Sequence, residues 1–564
     1  MKKSFKIGLH NIISFLLTIM ITVGCTCFPY DEILAAEQTE KTGIAAAAQF
    51  FAYIPFGNGR TVNISVVNTH GRDYLFLPSS VSLSGTVFHY NTEACEVTFT
   101  DGKALASDAA VNLNPYLSAD TGDGSRLLTL RVVKGGVEAL YDLHVMNSAN
   151  ISSMFLSSSD PAKGRTFVEA SKSNKAAGNM TMLTSKGTVL YDGGLTQIKG
   201  RGNSTFAADK KPYQIKLDTS SDLTRKGSVN SNKTWVLLAN AYDPTLIHNT
   251  VGLNMAQSIG LDAPDCVPVD LYYDGEYRGN YLLAEKVQIA PGRVDITDLE
   301  AGTDAANPGK DLSRNNTAMG ANKYGDVFSY VTGVANPESI AGGYLLELDN
   351  AYYKGERSYF ITSTGIPFVV KSPENCSKEQ MIYISEYVED IVRAAANGGV
   401  SPDTGDEIWK MIDRDSLVRY FVLEEIVKNA DSFASSTYFY LNDDGKPMKA
   451  GPVWDLDDSY GVRADMASPE GFVSGGFIQP FMNLPDFRKA VKAYYSSTGH
   501  SRATSPGIDS YVKEISQSQK MNRVLWNDSK QLYSKLESYD ADIAYMKNYA
   551  SERAKWLKGI FATW

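Results

Sequence analysis

Apolar and polar positions alternate in short runs through the first quarter of the chain, and recur at three- to four-residue spacing toward its end. Residues 61–67, 95–100 and 127–133 alternate with period two, which predicts strands, and the Gly, Asn, Asp and Ser between them predict turns. Residues 45–148 are therefore expected to form an all-β sandwich of immunoglobulin or cadherin type, serving as a spacer or a partner-binding module. A passage rich in Ser, Ala, Lys and Gly, 157–178, reads as the connection to a larger α+β domain over 150–564. There 181–184, 189–191, 213–218 and 235–240 read as strands, and Asp274-Gly275 reads as the turn of a hairpin. Asp243 is placed to cap a helix over 243–259, with Pro244 at its first position. Helices are expected over 378–395 and 415–429, and two more, about 507–539 and 541–561, close the chain. The stretch 298–340, rich in Gly, Asn, Asp and Ala, reads as an insertion loop, and the aromatic 472–487 as groove lining or packing.

Composition adds a compartment and removes some partners. The 564 residues carry 54 basic and 64 acidic side chains, a net charge of −10, which offers nucleic acid no general attraction. Lys2, Lys3 and Lys6 before an apolar segment at 12–23 read as an export signal within residues 1–36. Two processing routes stay open: a lipoprotein box ending at Cys25, which would give a membrane lipid anchor, or cleavage after Leu34-Ala35-Ala36. The other cysteines, Cys95, Cys266 and Cys376, are scattered without metal-ligand spacing and are expected to be buried thiols.

Chemistry concentrates in Gly451-Pro452-Val453-Trp454-Asp455-Leu456-Asp457-Asp458. In a strand or tight turn Asp455 and Asp457 would share a face, and two converging carboxylates call for a hard cation between them. The plain alternative is that both acids cap or turn the chain. A helical pattern upstream runs into Asp431. The loop Gly200-Arg201-Gly202-Asn203-Ser204-Thr205 combines close backbone approach with the phosphate donors Arg201, Ser204 and Thr205, although a simple β-turn accounts for it equally well. Lys216 follows on a strand, where it would reach nucleotide phosphates or face solvent. Glu347 and Asp349 alternate with leucines, facing either a nucleotide or the surface.

These segments resemble the spore-coat-protein-H (CotH) kinase family. The resemblance rests on the Gly200 loop with 211–218, on Trp235-Val236-Leu237-Leu238-Ala239-Asn240, on 277–285 and 343–349, and on 451–457, all in the family's order. It covers about 150–564 and implies an atypical secreted protein kinase binding ATP and Mg2+. Carried over by residue, Arg201, Gly202, Ser204 and Lys216 would hold the nucleotide, with Glu285 pairing Lys216. Asp431 would be the catalytic aspartate, Asp455 the magnesium ligand and Asp457 a second one. The implied activity is transfer of the ATP γ-phosphate to Ser or Thr of an extracellular or spore-coat protein. The competing expectation is a kinase-like surface adhesion or assembly protein that transfers nothing. Two departures bear on the choice: His248-Asn249 stands where the family commonly shows Arg-Asn, and Ser436 rather than Asn stands five residues after Asp431.

Overall fold

A computed structural model describes residues 50–56, 60–225, 227, 231–498, 505–526 and 536–564. The expected export signal and Cys25 lie outside them. No helix among the described residues is long and apolar enough to cross a membrane. The chain has a mainly β N-terminal region followed by an α/β region with C-terminal helices.

The N-terminal strands are β1 (Phe51–Phe56), β2 (Arg60–Ser65), β3 (Val67–Thr69), β4 (Arg72–Leu77), β5 (Thr86–His89), β6 (Glu96–Phe99), β7 (Ala110–Val111), β8 (Leu117–Asp120), β9 (Arg126–Lys134) and β10 (Val137–Asn147). They form two sheets, β2-β1-β5-β7 and β3-β4-β10-β9-β6, with β8 also paired to β9. Alternation does the work here: Leu128 and Leu130 of β9 pair in register with Leu143 and Tyr141 of β10, and all four are buried. Their core takes in Ala52, Ile64 and Phe88 from the other sheet, then continues into Phe155, Tyr272 and Tyr277 of the next region.

That next region opens with a closed barrel of β11 (Ser152–Ser158), β12 (Lys175–Leu183), β13 (Val189–Gly200), β14 (Tyr213–Ser221), β15 (Asn232–Leu238), β16 (Cys266–Tyr273) and β17 (Glu276–Glu285). The expected 157–178 connection is instead part of this barrel. It holds the end of β11, helix α1 (Arg165–Ala170) and the start of β12, because strand pairing outweighs a polar, small-residue composition. The hairpin β16–β17 turns at Asp274 and Gly275, both with positive φ, as its Asp-Gly dipeptide predicts.

A seven-stranded sheet follows, in the order β18-β19-β21-β22-β20-β23-β24. Its strands are β18 (Thr317–Ala321), β19 (Val327–Val331), β20 (Tyr344–Leu348), β21 (Tyr359–Ile361), β22 (Pro367–Ser372), β23 (Thr437–Leu441) and β24 (Lys449–Ala450). The 298–340 stretch is thus no loose insertion. It supplies two strands and helix α4 (Leu299–Ala306), with Phe328 and Val331 buried as anchors.

The remaining helices are α2 (Ser204–Ala207), α3 (His248–Ser258), α5 (Lys378–Ala396), α6 (Arg414–Val427), α7 (Pro485–Thr498), α8 (Ser505–Glu514), α9 (Ser518–Trp526) and α10 (Tyr539–Ala562). Helix α3 starts five residues later than expected. Leu246 adopts φ 65°, and Asp243 caps from a distance, accepting the His248 N–H at 2.9 Å. The expected helix over 507–539 is broken after Glu514, giving α8 and α9, while its 527–535 part lies outside the described residues. Phe472 stacks among Trp556, Phe561 and Trp564, so it packs the core.

Candidate functional site

Between the barrel and the seven-stranded sheet lies a cleft of about 670 Å3. Its barrel wall is the end of β13, the following loop and α2: Lys199, Gly200, Arg201, Gly202, Asn203, Ser204 and Thr205. Glycine is required at two of these positions. Gly202 has φ 82°, and a Cβ there would stand 2.1 Å from Thr205 Oγ1; a Cβ on Gly200 would meet the Phe206 ring at 2.1 Å. The loop consequently folds tightly against α2. Arg201 lies over the Trp454 ring, 5.5 Å from its centroid, and so touches the opposite wall.

That opposite wall is acidic. Glu347 and Asp349 come from β20 and its end, Asp431, Ser435 and Ser436 from the turn after α6, and Asp455, Asp457 and Asp458 from the loop after β24. The 451–458 loop is not a strand. Asp455 has φ 64°, Ser436 has φ 50° and Phe433 has φ 52°, so non-glycine residues occupy the left-handed region at three places around one site. Asp455 and Asp457 both line the cleft, through this turn and not through strand alternation. Ser436 donates its hydroxyl to Asp455 Oδ2 at 3.0 Å. Asn429 joins the two acidic segments, accepting the Asp431 N–H at 3.3 Å and donating to the Asp455 carbonyl at 3.3 Å.

The carboxylates perturb one another. Burial, then Asp455, raises the Asp431 pKa against the pull of Arg463. Burial followed by Asp455, Asp458 and Asp243 raises Asp457 well above the carboxylate range. Burial and Asp431 raise Asp458, although Arg463 stands 3.5 Å from it. Beneath the turn, burial lifts Glu424 of α6 to about 8. Acids that resist joint ionisation are poised for a cation.

Three lysines line the cleft that sequence reasoning passed over, the exposed Lys172 among them. Lys199 is the next-to-last residue of β13, where burial and then Lys175 lower its pKa. Lys371 stands two residues beyond Val369, the register partner of Glu347, so strand alternation puts it on the Glu347 face and into the cleft, next to a register shift of β22 against β20. Burial works against its charge, yet Glu347 at 3.3 Å and Glu356 at 3.0 Å hold its pKa above the usual range. An adjoining chamber of about 520 Å3 shares Arg201, Lys371, Tyr438 and Trp454 with the cleft, and reaches Val236 of β15 and 286–289 after β17.

Lys216 and Glu285 must be moved off this site. On β14, Tyr213, Ile215 and Leu217 are buried in the barrel, which leaves Lys216 exposed on the outer face and outside the cleft lining. Lys199 pairs in register with Gln214, nearer the loop, while Lys216 pairs with Gln197. Glu285 faces Arg293 at 3.4 Å and accepts the Asp265 N–H at 2.9 Å, so it has no ion pair with Lys216. His248 is also absent from the lining. It is 2% exposed behind the acidic loop, where its Nδ1 donates to the Asp457 carbonyl at 3.0 Å.

Arg201, Gly202, Ser204, Asp431, Asp455 and Asp457 do converge on the one cleft. Among the described residues no three His, Cys, Asp or Glu side chains are grouped so as to hold a metal ion unaided. This donor set, hard carboxylate oxygens that raise one another's pKa beside an orphaned Asp458 Oδ1, matches an ion that takes one or two carboxylates and fills its other positions with phosphate and water.

A family model described as CotH kinase protein matches residues 198–557, and no curated protein matches the chain.

Proposed function

The chain belongs to the CotH kinase family, and on that premise we propose that it is an exported protein kinase, transferring the ATP γ-phosphate to Ser or Thr of an extracellular or spore-coat protein. The observation that carries this reading is the meeting, in one cleft, of Lys199 and Arg201 from the barrel side with Lys371, Asp431 and Asp455 from the sheet side. Phosphoryl transfer asks chiefly for positioning and charge stabilisation. In this reading the base lies in the chamber against Val236 and 286–289, and the triphosphate runs past Arg201 and Trp454 into the outer cleft. Lys371, held by Glu347, neutralises phosphate charge, and the backbone of the Gly200–Gly202 loop approaches the phosphates closely. Asp431 accepts the proton of the incoming hydroxyl, a role its raised pKa suits. Asp455 and Asp457 would hold Mg2+, which supplies charge neutralisation on the phosphate oxygens. Export follows from the N-terminal signal read in the sequence, and the partner is a Ser- or Thr-bearing surface or coat protein.

Incubation of the purified protein with labelled ATP, Mg2+ and candidate coat proteins tests this. Label should pass to protein with the wild type. Asp431→Ala and Asp455→Ala should each lower the rate by about 10²–10⁴-fold. A wild type that binds partners tightly and transfers nothing would establish the surface-assembly role instead.

A further inference from the structure

We propose that Asn249 is a positioning residue for the transfer, fixing the loop that carries Asp455 and Asp457 from behind. The proposal rests on the kinase reading for its consequence, but on separate geometry for its substance. Three successive residues of the loop each give one backbone group to a different side chain. The Asp455 carbonyl accepts from Asn429 Nδ2 at 3.3 Å, the Leu456 N–H donates to Asn249 Oδ1 at 2.8 Å, and the Asp457 carbonyl accepts from His248 Nδ1 at 3.0 Å. Only one of the three ties, the Asn249 bond, satisfies a loop N–H.

The Asn249 amide has no freedom to turn over. Its Nδ2 donates to Asn240 Oδ1 at 3.0 Å, and Asn240 is itself oriented by donating to the Leu246 carbonyl at 3.0 Å. Asn249 and Asn240 are 2% and 4% exposed, so water does not compete. Aspartate lacks the donor Asn240 requires, and alanine leaves the Leu456 N–H buried without a partner. Asn240 lies two residues beyond the end of β15, so the relay ties the acidic loop to the barrel that carries Lys199 and Arg201.

The loop needs such a tie. Asp455 is held at φ 64°, a conformation an aspartate leaves when its surroundings allow. Gly252, one turn along α3 from Asn249, lets the helix approach until Leu456 Cδ1 would stand 2.2 Å from an added Cβ. Asn249 itself lines neither the cleft nor the chamber, so whatever it does for the reaction it does through the loop.

The test compares wild type, Asn249→Ala, Asn240→Ala and Val251→Ala. Val251, buried on the same helix, controls for simple loss of stability. Hydrogen exchange of the Leu456 amide in metal-free protein should speed up about tenfold or more in Asn249→Ala, and less in Asn240→Ala. With Mg2+ and ATP, the half-saturating Mg2+ concentration should rise and kcat fall about tenfold, while KM for ATP at saturating Mg2+ stays within about twofold. Val251→Ala at matched Tm should keep wild-type exchange and kcat. Wild-type Leu456 exchange in Asn249→Ala, or an equal kcat loss in Val251→Ala, overturns the proposal. If Asn249→Ala does not fold, Asn240→Ala must show the same pattern, and its absence there overturns the proposal equally. A wild type without transfer would defeat the kinase reading, and the exchange result would still decide whether Asn249 holds the loop.

Discussion

Single residues decide which cation meets the phosphates. Lys216 and Lys371 are both strand lysines, and the first stands in the segment that the sequence likeness favours. The barrel buries the neighbours of Lys216 and turns it outward, whereas the pairing of β22 with β20 sets Lys371 in the cleft between two glutamates. Lys371→Ala should therefore lower phosphotransfer about 10²-fold or more, while Lys216→Ala leaves kcat and KM for ATP near wild type, as steady-state kinetics with labelled ATP would show. Asp431, Asp455 and Asp457 were legible as candidates because acids beside apolar anchors stand out in any register. Lys371 was not, because the strand that lies beside β22, and with it Glu347, cannot be read from β22 alone.

Helix α6 shows what an element contributes. It carries Glu424 and Glu425 side by side in its last turn, and both are buried. Glu425 is answered: Arg553 of α10 pairs with it, and the Val473 and Ser474 amides donate to it at 3.2 and 2.8 Å. Glu424 has an orphaned Oε2, and burial lifts its pKa to about 8. The folded state thus holds this proton more tightly than the unfolded chain does. Its stabilisation is complete below the ordinary glutamate range and is lost as pH rises through about 8. Metal-free protein should accordingly show a Tm that falls between pH 5 and 8, and Glu424→Gln should flatten that fall, as a thermal-unfolding series would record. The helix itself was legible from Leu417, Phe421 and Leu423 at helical spacing, to within two residues at its ends. The answering arginine was not, because it lies 128 residues away.

At the scale of the molecule, the N-terminal sheets are built into the rest. Tyr272 donates to the Phe76 carbonyl at 3.0 Å, and Phe76 stacks near Tyr277 at 4.8 Å. Asp270, fully buried on the outer face of barrel strand β16, accepts from Ser148 at the end of the β region, from Tyr277 at 2.8 Å and from Ser518 of α9 at 2.6 Å. N-terminal region, barrel and C-terminal helices therefore meet on one carboxylate. A chain beginning at residue 150 would expose Phe155, Tyr272 and Tyr277, each an aromatic of roughly 150–250 Å2, and leave Asp270 a donor short. Such a chain should be less soluble, bind a hydrophobic dye such as ANS, and melt several degrees below the full-length protein in a side-by-side thermal scan. A free-standing spacer domain would leave all three properties unchanged.

Local spacing discloses many of the strands and helices, the glycine loop, the acidic segments and the family, because each of these is written within a few consecutive residues whose period or chemistry survives any packing. The position of β14 in a closed barrel, the pairing of β22 with β20 that sets Lys371 beside Glu347, and the burial of His248 and Asn249 behind the acids are written nowhere locally. They arise when strands and helices far apart in sequence are brought into register, and only that register settles which charges face one another across the cleft.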